Sequence, residues 1–171
     1  MSNLRRFGGL NDVTPVVKNL ILLNLFVLVA TFIYPNLTDL LAMHYPSNPA
    51  FQPWQLITHM FTHANPREDF GNIFHIVFNM YALYNFGSIL ENDRVLGSKR
   101  FAFLYLFSGF GAIAFHLAIS AIMAYHYTGA VLFNDATVAH LNLSTDALKD
   151  LGSIYYQSLV GASGAIYGLL A

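Results

Sequence analysis

Cysteine and charged side chains are what this 171-residue sequence most clearly lacks. It has no cysteine, which excludes a disulfide framework and thiolate metal sites. Charged residues make up 10% of the chain, against about 25% in an average soluble domain. This shortage and a net charge of −1 argue against a soluble enzyme, a disordered chain and a nucleic-acid binder.

Hydrophobic residues, by contrast, account for 56% of the chain, and its mean hydropathy is +0.49. A helix that crosses a membrane needs about 20 mostly apolar residues. Windows of this kind predict spans at 16–35, 71–90, 101–125 and 159–171, the last of them incomplete. We therefore expect an all-α, polytopic membrane helix bundle. A signal peptide at 1–35 is disfavoured, because Lys18 interrupts it and no small-residue cleavage site follows.

The basic residues predict how these spans are oriented. Six of them precede the first span or lie between the second and third, namely Arg5, Arg6, Lys18, Arg94, Lys99 and Arg100. The two long loops hold only Arg67 and Lys149. Basic residues favour the cytoplasmic side, so the N-terminus is expected in the cytoplasm and both long loops outside.

The first long loop, 36–70, contains an apolar stretch broken by polar residues, from Phe51 to Phe61. Leu56, Ile57 and Met60 recur at helical spacing after Trp54. The pattern favours a helix lying in the membrane interface, with Trp54 at headgroup depth. An ordinary packed loop is the alternative.

Three polar residues inside the spans are candidates for chemistry. His75 and Asn79 are four residues apart and share one helix face, and Ser163 lies in the glycine-rich start of the last span. All are predicted near the outer surface. Free N–H groups at a helix start favour an oxyanion beside Ser163, and His75 and Asn79 could add donors. The structural alternatives are that His75 and Asn79 hydrogen-bond between helices, and that Gly164 and Gly168 form a G-x-x-x-G motif that lets a neighbouring helix approach closely.

These residues resemble the rhomboid family of intramembrane serine proteases. Gly161-Ala-Ser163-Gly164 matches its G-x-S-G, and His75-Ile-Val-Phe-Asn79 matches its H-x-x-x-N. The stretch from Trp54 to His63 resembles the W-x-x-x-T-H-x-F-x-H segment of its first loop. The resemblance covers roughly residues 16–171.

The resemblance implies a role for each matching residue. Ser163 would be the nucleophile, and the oxyanion hole would be formed by His75, Asn79 and the backbone N–H of Ser163. Gly161 and Gly164 would shape the site, and His63 would brace it. The family implies no cofactor and no metal. Its substrates are transmembrane segments of proteins in the lipid bilayer, cut near the outer face.

The family's general base is a histidine on the sixth core helix. The eight residues after Ser163 include no histidine. The expectation is an N-terminal part of a six- or seven-helix enzyme, in a bacterial inner membrane, with little activity in residues 1–171 alone. Two alternatives remain: an inactive rhomboid-like protein that binds transmembrane clients, and a small transporter or channel component with His75 and Asn79 in its pathway.

Overall fold

The computed structural model describes residues 13–66 and 69–170. Within these ranges the regular structure is helical, which confirms the predicted all-α membrane bundle. The α-helices of the described residues are α1 (Pro15–Ile33), α2 (Asn36–Leu41), α3 (Gln55–Thr58), α4 (Gly71–Ala82), α5 (Ser88–Leu90), α6 (Gly97–Thr128), α7 (Asp135–Ala139), α8 (Thr145–Tyr156) and α9 (Ser163–Leu170). A 3₁₀ turn lies at His59–Phe61 and a π-helical turn at Leu83–Gly87.

Three helical stretches of the described chain are long and apolar enough to cross a membrane: Pro15–Ile33, Gly71–Leu90 and Gly97–Thr128. The first begins with proline at a position where its absent N–H costs nothing. The second is continuous through the π-helical turn. The third has 32 residues and so is about 48 Å long, which exceeds a hydrocarbon core of about 30 Å. It ends at Gly129, whose positive φ of 72° terminates the helix.

The two long loops meet at one end of the bundle. Met43 and Leu159 form an antiparallel bridge, with N–H···O distances of 2.9 and 2.8 Å. The Tyr45 hydroxyl donates to the carbonyl of Val131 at 2.7 Å. A small apolar core, separate from that between the spans, joins the loops to the end of α6; it contains Tyr45, Ala124, Phe133, Leu151 and Tyr155.

The segment from Phe51 to Phe61 has one exposed side and one buried side. Trp54 and Ile57 are about half exposed, and the Trp54 indole donates to the carbonyl of Leu40 at 3.0 Å. Met60 is buried and fills the space that Gly109 leaves on α6. The segment therefore inserts its inner side into the bundle. Its placement in a membrane interface stays a prediction.

Helix α9 packs mainly against α6, and two glycines set how closely. A Cβ on Gly164 would lie 2.7 Å from the Cβ of Ala112, and a Cβ on Gly168 would overlap with Ser108. The Gly164-to-Gly168 step is thus the surface through which α6 approaches α9. The helix begins at Ser163, inside the predicted span that starts at 159, because Leu159 is held in the bridge to Met43.

Replacing Gly168 with alanine is expected to lower the free energy of unfolding by about 1–3 kcal/mol, because the added methyl group meets the rigid Cβ of Ser108. Gly111→Ala on α6 is the matched control, since nothing lies within 4 Å of its added Cβ. There alanine should be neutral, or stabilising by up to about 1 kcal/mol. Denaturant titration of both variants in detergent micelles checks this; equal midpoints would contradict the packing argument.

A buried carboxylate at the opposite end fixes the start of α1. Glu91 is 2% exposed and accepts hydrogen bonds from the N–H groups of Val16 and Val17, both at 2.9 Å. The Ser98 hydroxyl also donates to it, at 2.7 Å. Burial tends to raise the pKa of Glu91, but the hydrogen bonds outweigh burial and the pKa is lowered. The charge also matches the positive end of the α1 dipole.

Glu91→Gln is expected to lower the free energy of unfolding by about 1–3 kcal/mol, because it removes charge-assisted hydrogen bonds. Since the folded pKa is depressed, the carboxylate's contribution is present above the unfolded pKa and is lost as pH falls through the folded pKa. The unfolding temperatures of the wild type and the variant should therefore become equal as the pH is lowered through the acidic range. Exposed Asp93→Asn is the control; if it lowered stability as much as Glu91→Gln, the capping role would be wrong.

Candidate functional site

His75 and Asn79 lie on one face of α4 and end up in different environments. Asn79 is 8% exposed, and His75 is exposed. The amide nitrogen of Asn79 is buried and has no hydrogen-bond partner within the described ranges. A buried donor without a partner is costly in a structural residue, so this amide is available to a group that binds here.

Ser163 is the first residue of α9, and the chain before it is extended and firmly held. Leu159 pairs with Met43, and the N–H of Gly161 donates to the carbonyl of His59 at 2.9 Å. Gly161 adopts a φ of +121°, a conformation that side chains strongly disfavour. This turn places Ser163 where the free N–H groups of α9 begin.

The space beside Gly161 brings the candidate groups together. A Cβ at Gly161 would lie 3.5 Å from Ser163 Oγ, 3.8 Å from His75 Nε2 and 3.8 Å from the backbone nitrogen of Ser163. Glycine leaves this space open. One hydroxyl and two nitrogen donors therefore face a single small volume, an arrangement that can hold a carbonyl oxygen as it becomes an anion.

His63 lies deeper and contacts the first span. It is 1% exposed, and its Nε2 is 2.9 Å from Asn24 Oδ1. Burial lowers the pKa of His63 to about 4, and the electrostatic interaction with His75 acts in the same direction. His63 is therefore neutral at neutral pH. Asn24 was missed by the sequence reasoning, although a polar residue inside an apolar span is a signal of a buried contact.

His59 is a second contributor that the sequence reasoning missed as part of the site. Its carbonyl accepts from Gly161, and its Nδ1 is 2.8 Å from the carbonyl of Gln55. Burial lowers the pKa of His59; hydrogen bonds to Gln55 and Leu56 oppose burial, and His116 adds to it. The residue thus holds the backbone before Ser163 through its carbonyl.

The described residues contain no group of three or more His, Cys, Asp or Glu arranged to hold a metal ion. Nor does a hydrogen bond join Ser163 Oγ to a histidine within 13–66 and 69–170. Gly164, expected to shape the site, packs its α-carbon against Ala112 of α6. Its effect on the site is therefore through the position of α9.

A family model described as the Rhomboid domain matches residues 50–171, more than half of the chain. The match includes the loop segment from Trp54, the His75–Asn79 pair and the Gly161–Gly164 segment. No curated protein matched the chain. The chain belongs to the rhomboid family of intramembrane serine proteases.

Proposed function

We propose that this protein is a serine endopeptidase that cuts transmembrane segments of other membrane proteins near the outer face. The observation that carries the proposal is the convergence of Ser163 Oγ, the Ser163 N–H and His75 Nε2 on the space beside Gly161. The partnerless amide of Asn79 supports it, because an unused buried donor suits a charge that develops only during reaction.

In the proposed reaction, Ser163 Oγ attacks the peptide carbonyl and its proton passes to a general base. The carbonyl oxygen becomes an oxyanion, which the Ser163 N–H, His75 Nε2 and the Asn79 amide stabilise. The C–N bond then breaks, the amine leaves with the proton, and water hydrolyses the acyl-enzyme. The substrate helix must unwind locally, because a helical carbonyl is already hydrogen-bonded.

The general base is proposed to be a histidine on a helix other than those described, as the family resemblance implies. Among the described histidines, His75 lies beside Ser163, and its Nε2 faces the same space as the backbone N–H. That position suits a donor to the oxyanion. His63 is held on Asn24 and is too buried to exchange protons readily with Ser163.

The substrate class can be tested with a reporter whose single transmembrane segment carries helix-breaking residues near its outer end. Vesicles containing the protein expressed from its native gene should cut this reporter within that outer region. A matched reporter with leucine at those positions should be cut much more slowly. A reporter that binds but is never cut would favour a non-cleaving client binder, and cleavage confined to soluble loops would contradict the proposed substrate class.

We also propose that the protein lies in a bacterial inner membrane with its N-terminus in the cytoplasm and Ser163 near the outer face. The distribution of basic residues supports this orientation. Because residues 1–171 contain no cysteine, a single cysteine introduced there has no background from this range. Ser158→Cys should react with a membrane-impermeant maleimide in intact cells, and Lys99→Cys only after permeabilisation; the opposite pattern would reverse the orientation.

A further inference from the structure

Asn24 is a buried polar residue in the middle of the apolar helix α1. It is 1% exposed, and its Nδ2 donates to the carbonyl of Leu20 at 2.8 Å. Because a backbone carbonyl only accepts, that bond fixes which end of the amide is the nitrogen. The oxygen of Asn24 must then face His63.

This orientation decides where His63 carries its proton. Asn24 Oδ1 accepts, so the Nε2 of His63, 2.9 Å away, must be the donor. Burial keeps the ring neutral by lowering the pKa of His63 to about 4, which leaves Nδ1 unprotonated. That nitrogen is buried and has no partner within the described ranges. Asn24 thus selects one of the two neutral forms of His63.

The chosen form matters because His63 lies four residues after His59, whose carbonyl accepts the N–H of Gly161, and His75 Nε2 lines the space beside Gly161. His63 also lies within the electrostatic reach of His75. A neutral ring does not repel the hydrogen that His75 would present to an oxyanion. A cationic His63 would repel it. The titratable groups around the pair are His75 on α4 and Tyr105 on α6, whose buried phenol approaches Asn24.

We propose that Asn24 is a positioning residue of the active site, acting through His63 to keep one fixed form of that ring in the loop segment that holds Gly161 next to His75. The inference rests on the proposed function for its catalytic meaning. The link from Asn24 to His63 stands on geometry alone. Asn24 touches no reacting atom.

Thr31 supplies a matched control on the same helix. It lies seven residues after Asn24, on the same face of α1, and is 2% exposed. Its hydroxyl bonds only to carbonyls of its own helix, those of Val27 and Leu28, at 3.0 and 3.1 Å. Thr31→Val therefore removes a buried polar group from α1 without touching the site.

The first test reads the ring directly, by ¹⁵N-histidine NMR of the whole protein in bilayers, with the His63 signals assigned from a His63→Gln sample. The wild type and Thr31→Val should show His63 protonated at Nε2. Asn24→Leu should show a mixture of the two neutral forms; Asn24→Ala replaces it if the leucine variant fails to assemble. An unchanged single form in the Asn24 variant would overturn the inference.

The second test measures cleavage of the transmembrane reporter. Asn24→Leu should lower kcat roughly tenfold with little change in KM, the scale of one lost hydrogen bond, whereas Thr31→Val should keep the wild-type kcat. Equal kcat in all three proteins would overturn the positioning role while leaving the proposed function intact. An inactive wild type would instead refute the proposed function, and the NMR result would still decide the Asn24–His63 link.

Discussion

Replacing Ser163 with alanine is expected to abolish cleavage of a transmembrane reporter, with a loss on the order of 10⁵- to 10⁶-fold in kcat. Ser163 Oγ is the hydroxyl that faces the space beside Gly161, together with two nitrogen donors. Alanine removes the nucleophile and keeps the backbone N–H, so the helix start and the oxyanion site should be preserved. The loss should therefore appear in kcat while binding of the reporter is kept.

Ser158→Ala is the control for this change. Ser158 belongs to the same extended segment, five residues before Ser163, and comes directly before Leu159, the residue that pairs with Met43. Its variant should cut the reporter at the wild-type rate, measured in vesicles by the appearance of the two fragments. If Ser163→Ala retained cleavage while the protein was shown to be folded, the nucleophile would have to be another residue.

Asn79→Leu is expected to lower kcat by roughly 10²- to 10³-fold, the effect of removing one oxyanion donor. The Asn79 amide nitrogen is buried on the face of α4 that carries His75, and it has no partner among the described residues. Leucine has the same number of side-chain heavy atoms and the same branching at Cγ, and it removes the amide with its donor. Because the amide nitrogen makes no hydrogen bond to the described residues, the folded protein is expected to lose little by the change.

That combination separates a catalytic donor from a structural one. If Asn79 were structural, its substitution would destabilise the folded protein. If the amide is a donor used only during the reaction, the variant should cleave slowly but remain as stable as the wild type. The measurement is kcat for the reporter together with the unfolding midpoint in detergent. A wild-type kcat in Asn79→Leu would remove Asn79 from the proposed oxyanion hole.

The fold class and the family were predictable from the sequence, because both depend on local patterns. Apolar windows of membrane-spanning length predict helices, and the structure has such helices at Pro15–Ile33, Gly71–Leu90 and Gly97–Thr128. His75 and Asn79 stand out as polar residues inside one of those helices, and Ser163 stands out in the glycine-rich segment at the start of α9. The order of the spans predicts that His75 and Ser163 lie at similar depth, and both line the space beside Gly161.

What the sequence could not supply are contacts between distant segments. The sequence predicts an apolar span from 159 and a helix start near Ser163, but it does not show that Leu159 pairs with Met43 and holds the chain extended before α9. From the sequence, Glu91 is an ordinary charged residue of a loop, but in the structure it caps the start of α1, 75 residues earlier in the chain. Asn24 was visible as a polar residue in an apolar span, but its partner His63 was not.

The most direct test of the central claim is to locate a serine-reactive probe on the protein itself. The whole protein, expressed from its native gene in membranes, is treated with a fluorophosphonate and digested, and the modified peptide is identified by mass spectrometry. The account predicts a single adduct on Ser163, absent from Ser163→Ala and retained in Ser158→Ala. An adduct on another serine, or equal labelling of the Ser163→Ala protein, would contradict it.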